Sequence, residues 1–137
     1  MDMEIIFPGG KKVNAIYKGF TIKTDQSKDS GGEDSAPTPF DLFLASIGTC
    51  AGIYVLFFCQ ARNIPTEKIK LMLRIERNRE SKMVSRIVIE ILLPSDFPEK
   101  YREQLAKVAE KCTVKKHLEN PPLFDIYTKI IEKTGTK

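Results

Sequence analysis

The residues with the most chemistry to offer in this chain are its three cysteines. Cys50 stands midway along an uncharged apolar segment, Cys59 follows nine residues later, and Cys112 precedes Thr113-Val114-Lys115-Lys116-His117. A thiolate is a nucleophile and a metal ligand, whereas a buried protonated thiol is a small inert hydrophobe. An odd number of cysteines at wide spacing does not make a disulfide framework. On a helix, nine residues are about two and a half turns, so Cys59 faces away from Cys50 and reads as core. Cys50 is open to two readings from its residue type alone, a buried apolar side chain or a reactive thiol. Cys112 is open to the same two: a core position on a helical face, or a thiolate favoured by a new helical turn and the cations after it. His117 is the sole histidine. A site built from Cys50, Cys112 and His117 is conceivable, but no spacing such as Cys-x-x-Cys supports it, so no metal and no cofactor is expected.

The elements that must position these thiols follow from periodicity and punctuation. Short strands are predicted at Met3–Phe7, Lys12–Tyr17 and Phe20–Lys23, joined by turns at Pro8-Gly9-Gly10 and Lys18-Gly19, which makes an antiparallel meander. A polar segment rich in Ser, Gly and Asp runs from Thr24 to Pro37 and reads as a functional or mobile loop. Thr38-Pro39-Phe40-Asp41 carries three helix-start signals: an N-cap, a proline at the first position and a capping-box carboxylate. The helix is expected to reach about Arg62, stopped by Asn63-Ile64-Pro65. On its Cys50 face lie Phe43, Ile47, Tyr54 and Phe57, a candidate substrate pocket. Ala45, Gly48, Thr49 and Gly52 form a small-residue face suited to the close approach of another backbone. Lys68–Arg77 and Met83–Leu93 alternate as a hairpin. A second helix, capped by Ser95 or Asp96, carries Tyr101, Leu105, Val108, Ala109 and Cys112 on one face and bends at Cys112-Thr113. Phe124, Ile126, Thr128 and Ile130 read as a last strand. The fold class expected is α+β, a single domain over 1–137.

Bulk properties narrow the function classes. The chain has 137 residues, 42% hydrophobic and 29% charged, and a formal net charge of +4. The basic residues are scattered, so no nucleic-acid surface is expected. Leu42–Cys59 is 18 residues without a charge, which reaches the length of a spanning helix. Ser46, Gly48, Thr49 and Gly52 within it, and the soluble patterning around it, favour a buried central helix, and no membrane partner is expected. The acidic start Met1-Asp2-Met3-Glu4 does not suit a secretory signal, so a cytoplasmic location is expected.

Ala36-Pro37-Thr38-Pro39-Phe40-Asp41-Leu42-Phe43-Leu44-Ala45-Ser46-Ile47-Gly48-Thr49-Cys50 resembles the start of the central helix in the OsmC/Ohr superfamily. There a proline-led stretch enters an apolar helix that carries the reactive cysteine. Cys112-Thr113-Val114 resembles the second cysteine motif, Cys-x-Val, and the order of elements agrees over nearly the whole chain. The resemblance implies an intertwined homodimer, with antiparallel sheets wrapped around the central helices and active sites at the dimer interface. It implies that Cys50 is the peroxidatic cysteine and Cys112 the resolving one. The substrate would be a small organic hydroperoxide, and a dithiol would serve as reductant.

The chain departs from the family pattern at two places. Phe40 stands ten residues before Cys50, where the family has Glu, and Asp41 is explained by its capping role. Gly9-Gly10-Lys11-Lys12 resembles a Gly-Gly-Arg turn, with Lys11 in the arginine place as a candidate catalytic cation. Lysine carries the charge without the planar two-pronged donor set. These departures point to an OsmC-like branch and keep a second expectation open: a non-peroxidatic protein that binds a small ligand or senses redox state through its thiols.

Overall fold

In the computed structural model, which describes residues 1–132, the chain forms a three-stranded meander, a long helix, a hairpin and two short helices in that order. The strands β1 (Glu4–Gly9), β2 (Lys12–Tyr17) and β3 (Phe20–Thr24) pair as antiparallel neighbours in sequence order. Gly9 and Gly10 make the first turn with φ of 142° and 58°, conformations that a Cβ would oppose. No residue of these three strands is buried.

Helix α1 (Pro39–Ala61) begins as its sequence dictates. The Asp41 backbone N–H donates to the Thr38 hydroxyl at 3.1 Å, and the Asp41 carboxylate accepts the Thr38 N–H at 3.0 Å, which closes a capping box with Pro39 at the first position. Its end is a Schellman turn. Asn63 adopts a left-handed conformation, its N–H donates to the Gln60 carbonyl, and the Ile64 N–H reaches back to the Cys59 carbonyl at 2.9 Å.

The hairpin of β4 (Lys70–Arg77) and β5 (Val84–Leu92) pairs Leu71 with Ile91, Leu73 with Ile89 and Ile75 with Ile87. The alternating apolar face of β4 turns toward α1. Leu73 Cδ1 would sit 3.5 Å from a Cβ at Gly48, so part of the small-residue face receives this strand, while Gly52 has open space around it. β4 starts two residues later than expected because the Ile69 N–H is used in a turn to the Thr66 carbonyl.

The second helical region differs from expectation at its start. Neither Ser95 nor Asp96 caps it: a 3-10 turn over Glu99–Tyr101 runs straight into α2 (Arg102–Ala109). The physical reason is Pro98, which disfavours helical geometry at Phe97. Phe97 instead turns inward and is buried beside Leu105, Val55, Phe58 and Cys59 in the main core. Tyr101 packs edge-on to Phe58 with ring centres 5.6 Å apart. The bend at Cys112-Thr113 is present, and α3 (Thr113–Glu119) follows it.

The last strand expected over Phe124–Ile130 does not form in this chain. Residues 121–132 carry no regular structure, and Leu123 and Ile126 are 97% and 92% exposed. The alternation is in the sequence, but among the described residues no strand pairs with this segment to supply the backbone hydrogen bonds that a ladder requires.

Candidate active site

The site forms where α3 begins against the middle of α1. Cys50 is half-buried on α1, and Cys112 is buried at the bend as the residue that caps α3. The Cys112 thiol points to the Ile47 carbonyl, 3.9 Å away and one helical turn before Cys50. The two thiols lie within interaction range of one another, and each shifts the ionisation of its neighbour in the opposite sense. At Cys50, burial pushes the pKa up. The Val114 backbone N–H, the Cys112 thiol and the Thr113 backbone N–H outweigh burial and bring the pKa below its ordinary value. At Cys112, burial pushes the pKa up, and the neighbouring Cys50 pushes it the same way, against the weaker pull of the Lys115 and Val114 N–H groups. The Cys50 pKa is thus lowered and the Cys112 pKa raised from the ordinary thiol value. Cys59 is fully buried in the main core, and burial raises its pKa against the opposing charge of Arg62.

The start of α3 is held from outside its own helix. The Tyr54 and Thr113 hydroxyls share a hydrogen bond of 3.0 Å between α1 and α3. His117 Nδ1–H donates to the Thr113 carbonyl at 2.8 Å, so this side chain closes its own helix rather than facing a metal. Among the described residues, no group of three His, Cys, Asp or Glu side chains is placed to hold a metal ion.

A cavity of about 950 Å³ opens beside Cys112, between α1, the hairpin and the bend, and Cys50 does not line it. Phe43, Ile47, Ile87, Ile89 and Cys112 contribute to its apolar wall. Arg77, Lys82, Arg86 and Lys115 also border it, with Glu110 as their acidic neighbour. Of the four residues expected to form a pocket, Phe43 and Ile47 line it. Tyr54 is taken up by Thr113, and Phe57 is 58% exposed among the described residues. Phe40, which takes the place of the family Glu, also lines the cavity, and Arg77 lies over its ring at 5.7 Å. Lys11 is exposed in the β1–β2 turn with Cε against Gly31, and it is not among the groups that act on Cys50 within the chain. The contributions of Thr113 and Val114 were not legible in the residue types. The signal for them was the helix break at Cys112, which frees backbone N–H groups at the start of a new helix.

The OsmC-like protein family matches residues 32–126. No curated protein matches the chain. Among solved structures, a Psychrobacter arcticus protein named for osmotic-stress induction and detoxification response is similar, with 21% identity and a TM-score of 0.71 over 83% of this chain and 85% of its own. An OsmC-like protein of Mycoplasma pneumoniae has 17% identity and a TM-score of 0.68 over 88% and 87%. OhrB of Bacillus subtilis, an organic hydroperoxide resistance protein, has 16% identity and a TM-score of 0.52 over 88% and 93%. These likenesses carry the fold. The same fold contains α1, which is 23 residues long and apolar enough to cross a membrane, as its long helix.

Proposed function

The chain belongs to the OsmC-like family, and from that premise we propose that it is a thiol-dependent peroxidase for small organic hydroperoxides, with Cys50 as nucleophile and Cys112 as resolving thiol. The observation that carries this reading is the pairing of two free thiols with opposed ionisation tendencies between α1 and the bend. Hydroperoxide resistance in the names of structural neighbours supports the same assignment.

The Cys50 thiolate attacks the outer oxygen of ROOH. The O–O bond breaks, Cys50 becomes a sulfenic acid, and the alkoxide leaves and takes up a proton to give ROH. The Cys112 thiol then attacks the Cys50 sulfur. A disulfide forms and the hydroxyl departs with the Cys112 proton as water. A dithiol reductant reopens the disulfide and is itself oxidised to a disulfide. The lowered pKa of Cys50 serves the first step by favouring its thiolate, and the raised pKa of Cys112 disfavours it as a competing nucleophile. Phe43 and Ile47 supply an apolar wall close by for the organic group.

A homodimer in the cytoplasm is part of this proposal. The uncovered meander, the open space at Gly52 and the exposed apolar residues from Leu123 to Ile131 all support a second copy of the chain as their cover. Lys11 retains its candidate role only across such an interface.

The test is consumption of cumene hydroperoxide with dithiothreitol present. Wild type should turn over and Cys50→Ser should not; with dithiothreitol left out, Cys112→Ser should oxidise once at Cys50 to a sulfenic acid and form no Cys50–Cys112 disulfide. Equal activity in wild type and Cys50→Ser would overturn the assignment. A second reading, ligand binding or redox sensing without turnover, is favoured by one observation: no charged side chain acts on Cys50 among the described residues. Stoichiometric oxidation of Cys50 with no reduction by any common dithiol would select it.

A further inference from the structure

Tyr54 lies four residues after Cys50, on the same face of α1 and one turn further along. Its hydroxyl does not line the cavity. It reaches across to α3 and meets the Thr113 hydroxyl at 3.0 Å. Thr113 is the residue whose backbone N–H, together with that of Val114, acts on the Cys50 sulfur. Its carbonyl is held in turn by His117 Nδ1–H. The Thr113 residue is thus fixed at its side chain by α1 and at its carbonyl by α3, on the turn that meets the Cys50 face of α1. Cys112, which caps α3, provides no side-chain cap bond of its own, and its carbonyl accepts the Lys116 N–H at 3.0 Å.

We propose that Tyr54 is a positioning residue, whose bond to Thr113 holds the Thr113-Val114 turn so that its two N–H groups stay aimed at the Cys50 sulfur. The effect on Cys50 is indirect, since the phenol itself does not bond the sulfur. The titratable groups near Cys50 are Cys112 at the bend, Tyr54 on α1 and His117 one turn along α3, with Lys115 and Lys116 exposed on α3. A turn free to rotate would withdraw two donors and leave burial as the dominant influence, which favours the neutral thiol.

The inference rests on Cys50 as the reactive thiol, so its test reads ionisation and not turnover. The rate of Cys50 alkylation by iodoacetamide is followed against pH in protein with Cys59 and Cys112 intact, with the site read by peptide mass. Tyr54→Phe, which removes only the hydroxyl, should move the midpoint upward and slow alkylation below the midpoint by roughly three- to tenfold. Thr113→Val should do the same, and the double variant should be no worse than either single one, because one bond is lost in each case. Thr113→Ser keeps the hydroxyl and should restore the wild-type profile. If Tyr54→Phe fails to give the wild-type circular dichroism spectrum, the Thr113→Val and Thr113→Ser pair decides alone. An unchanged midpoint in folded Tyr54→Phe, or additive shifts in the double variant, would overturn the proposal. A protein inactive toward peroxide but with these midpoint shifts would sink the peroxidase assignment and leave the role of Tyr54 standing.

Discussion

The Cys112 thiol points to the Ile47 carbonyl, 3.9 Å away, on the turn of α1 that leads into Cys50. The contact ties the bend to the backbone of the central helix rather than to a side chain. It keeps the Cys112 thiol near the turn of α1 that carries Cys50. Cys112 has 2% of its surface exposed and borders the apolar cavity.

Alkylation against pH should separate the three thiols. Cys50 should react first with a midpoint below that of a free thiol, and Cys112 and Cys59 should lag with midpoints above it. Cys112→Ala removes one of the groups that favour the Cys50 thiolate, so the Cys50 midpoint should rise. The stability signs are opposite for the two thiols. Cys50, depressed in the fold, adds stability above its unfolded pKa that is lost as pH falls through the folded value. Cys112, raised in the fold, adds stability below its unfolded pKa that is lost as pH rises through the folded value. Mass-resolved labelling that finds Cys59 as the fastest thiol would refute this ordering.

The loop before α1 should fail if its centre is removed. Asp25 is fully buried and accepts from the Gln26 N–H at 2.7 Å, the Ser35 N–H at 3.1 Å and the Ser35 hydroxyl at 2.6 Å. These bonds, led by that of Ser35, hold its carboxyl far below the usual carboxylate range. The resulting stability is present above the unfolded carboxylate value and is lost as pH falls toward the folded one. Asp25→Ala should lower the urea midpoint at neutral pH and flatten the acid limb of the stability curve. Gly32→Ala should also destabilise, by about 1–3 kcal/mol, because a Cβ there would sit 2.0 Å from the Gln26 carbonyl oxygen. An Asp25→Ala protein with an unchanged acid limb would refute the role given to this carboxylate.

Local signals in the sequence were legible where one segment alone decides the outcome. The capping box at Thr38 and Asp41, the turn at Gly9-Gly10, the alternation of the hairpin and the break at Cys112 all depend on neighbours in sequence, and each is present. Features that depend on a second element were not. Tyr54 shares a helical face with Cys50, and periodicity cannot say that its hydroxyl is claimed by Thr113 of another helix. Phe57 shares that face too, yet it stays exposed among the described residues. Asp25 looked like one polar residue among many in a long loop, and only the fold turns four donors toward it. The helix expected to start at Ser95 was displaced by the backbone restriction that Pro98 imposes on Phe97.

The start of α1 should be worth a measurable share of stability. Thr38→Ala removes the acceptor for the Asp41 N–H and breaks the reciprocal bond, at a cost of about 1 kcal/mol. Thr38→Ser keeps the hydroxyl and should recover most of it. Urea denaturation of the three proteins at one concentration checks this. Equal midpoints for Thr38→Ala and wild type would mean that packing against the hairpin fixes the helix start without its cap.

The tail should be where the oligomer is most easily broken. Phe124, Ile126 and Ile130 alternate as a strand would, yet they stand exposed with no ladder beside them. An apolar alternating segment stays in water only at a cost of about 25 cal/mol per Å² of apolar surface, so a partner that pairs with it gains both burial and backbone bonds. Under the proposed dimer, Ile126→Asp with Ile130→Asp should weaken association by roughly 100-fold or more, since two apolar anchors become charges at a buried position. Sedimentation velocity over a range of concentrations measures this directly. Cys50 alkylation in the variant should remain intact if the thiol pair is assembled within one chain, as the Cys112–Ile47 and Tyr54–Thr113 contacts require. A wild-type protein that sediments as a monomer at micromolar concentration would remove the dimer and leave the exposed tail in need of a different cover.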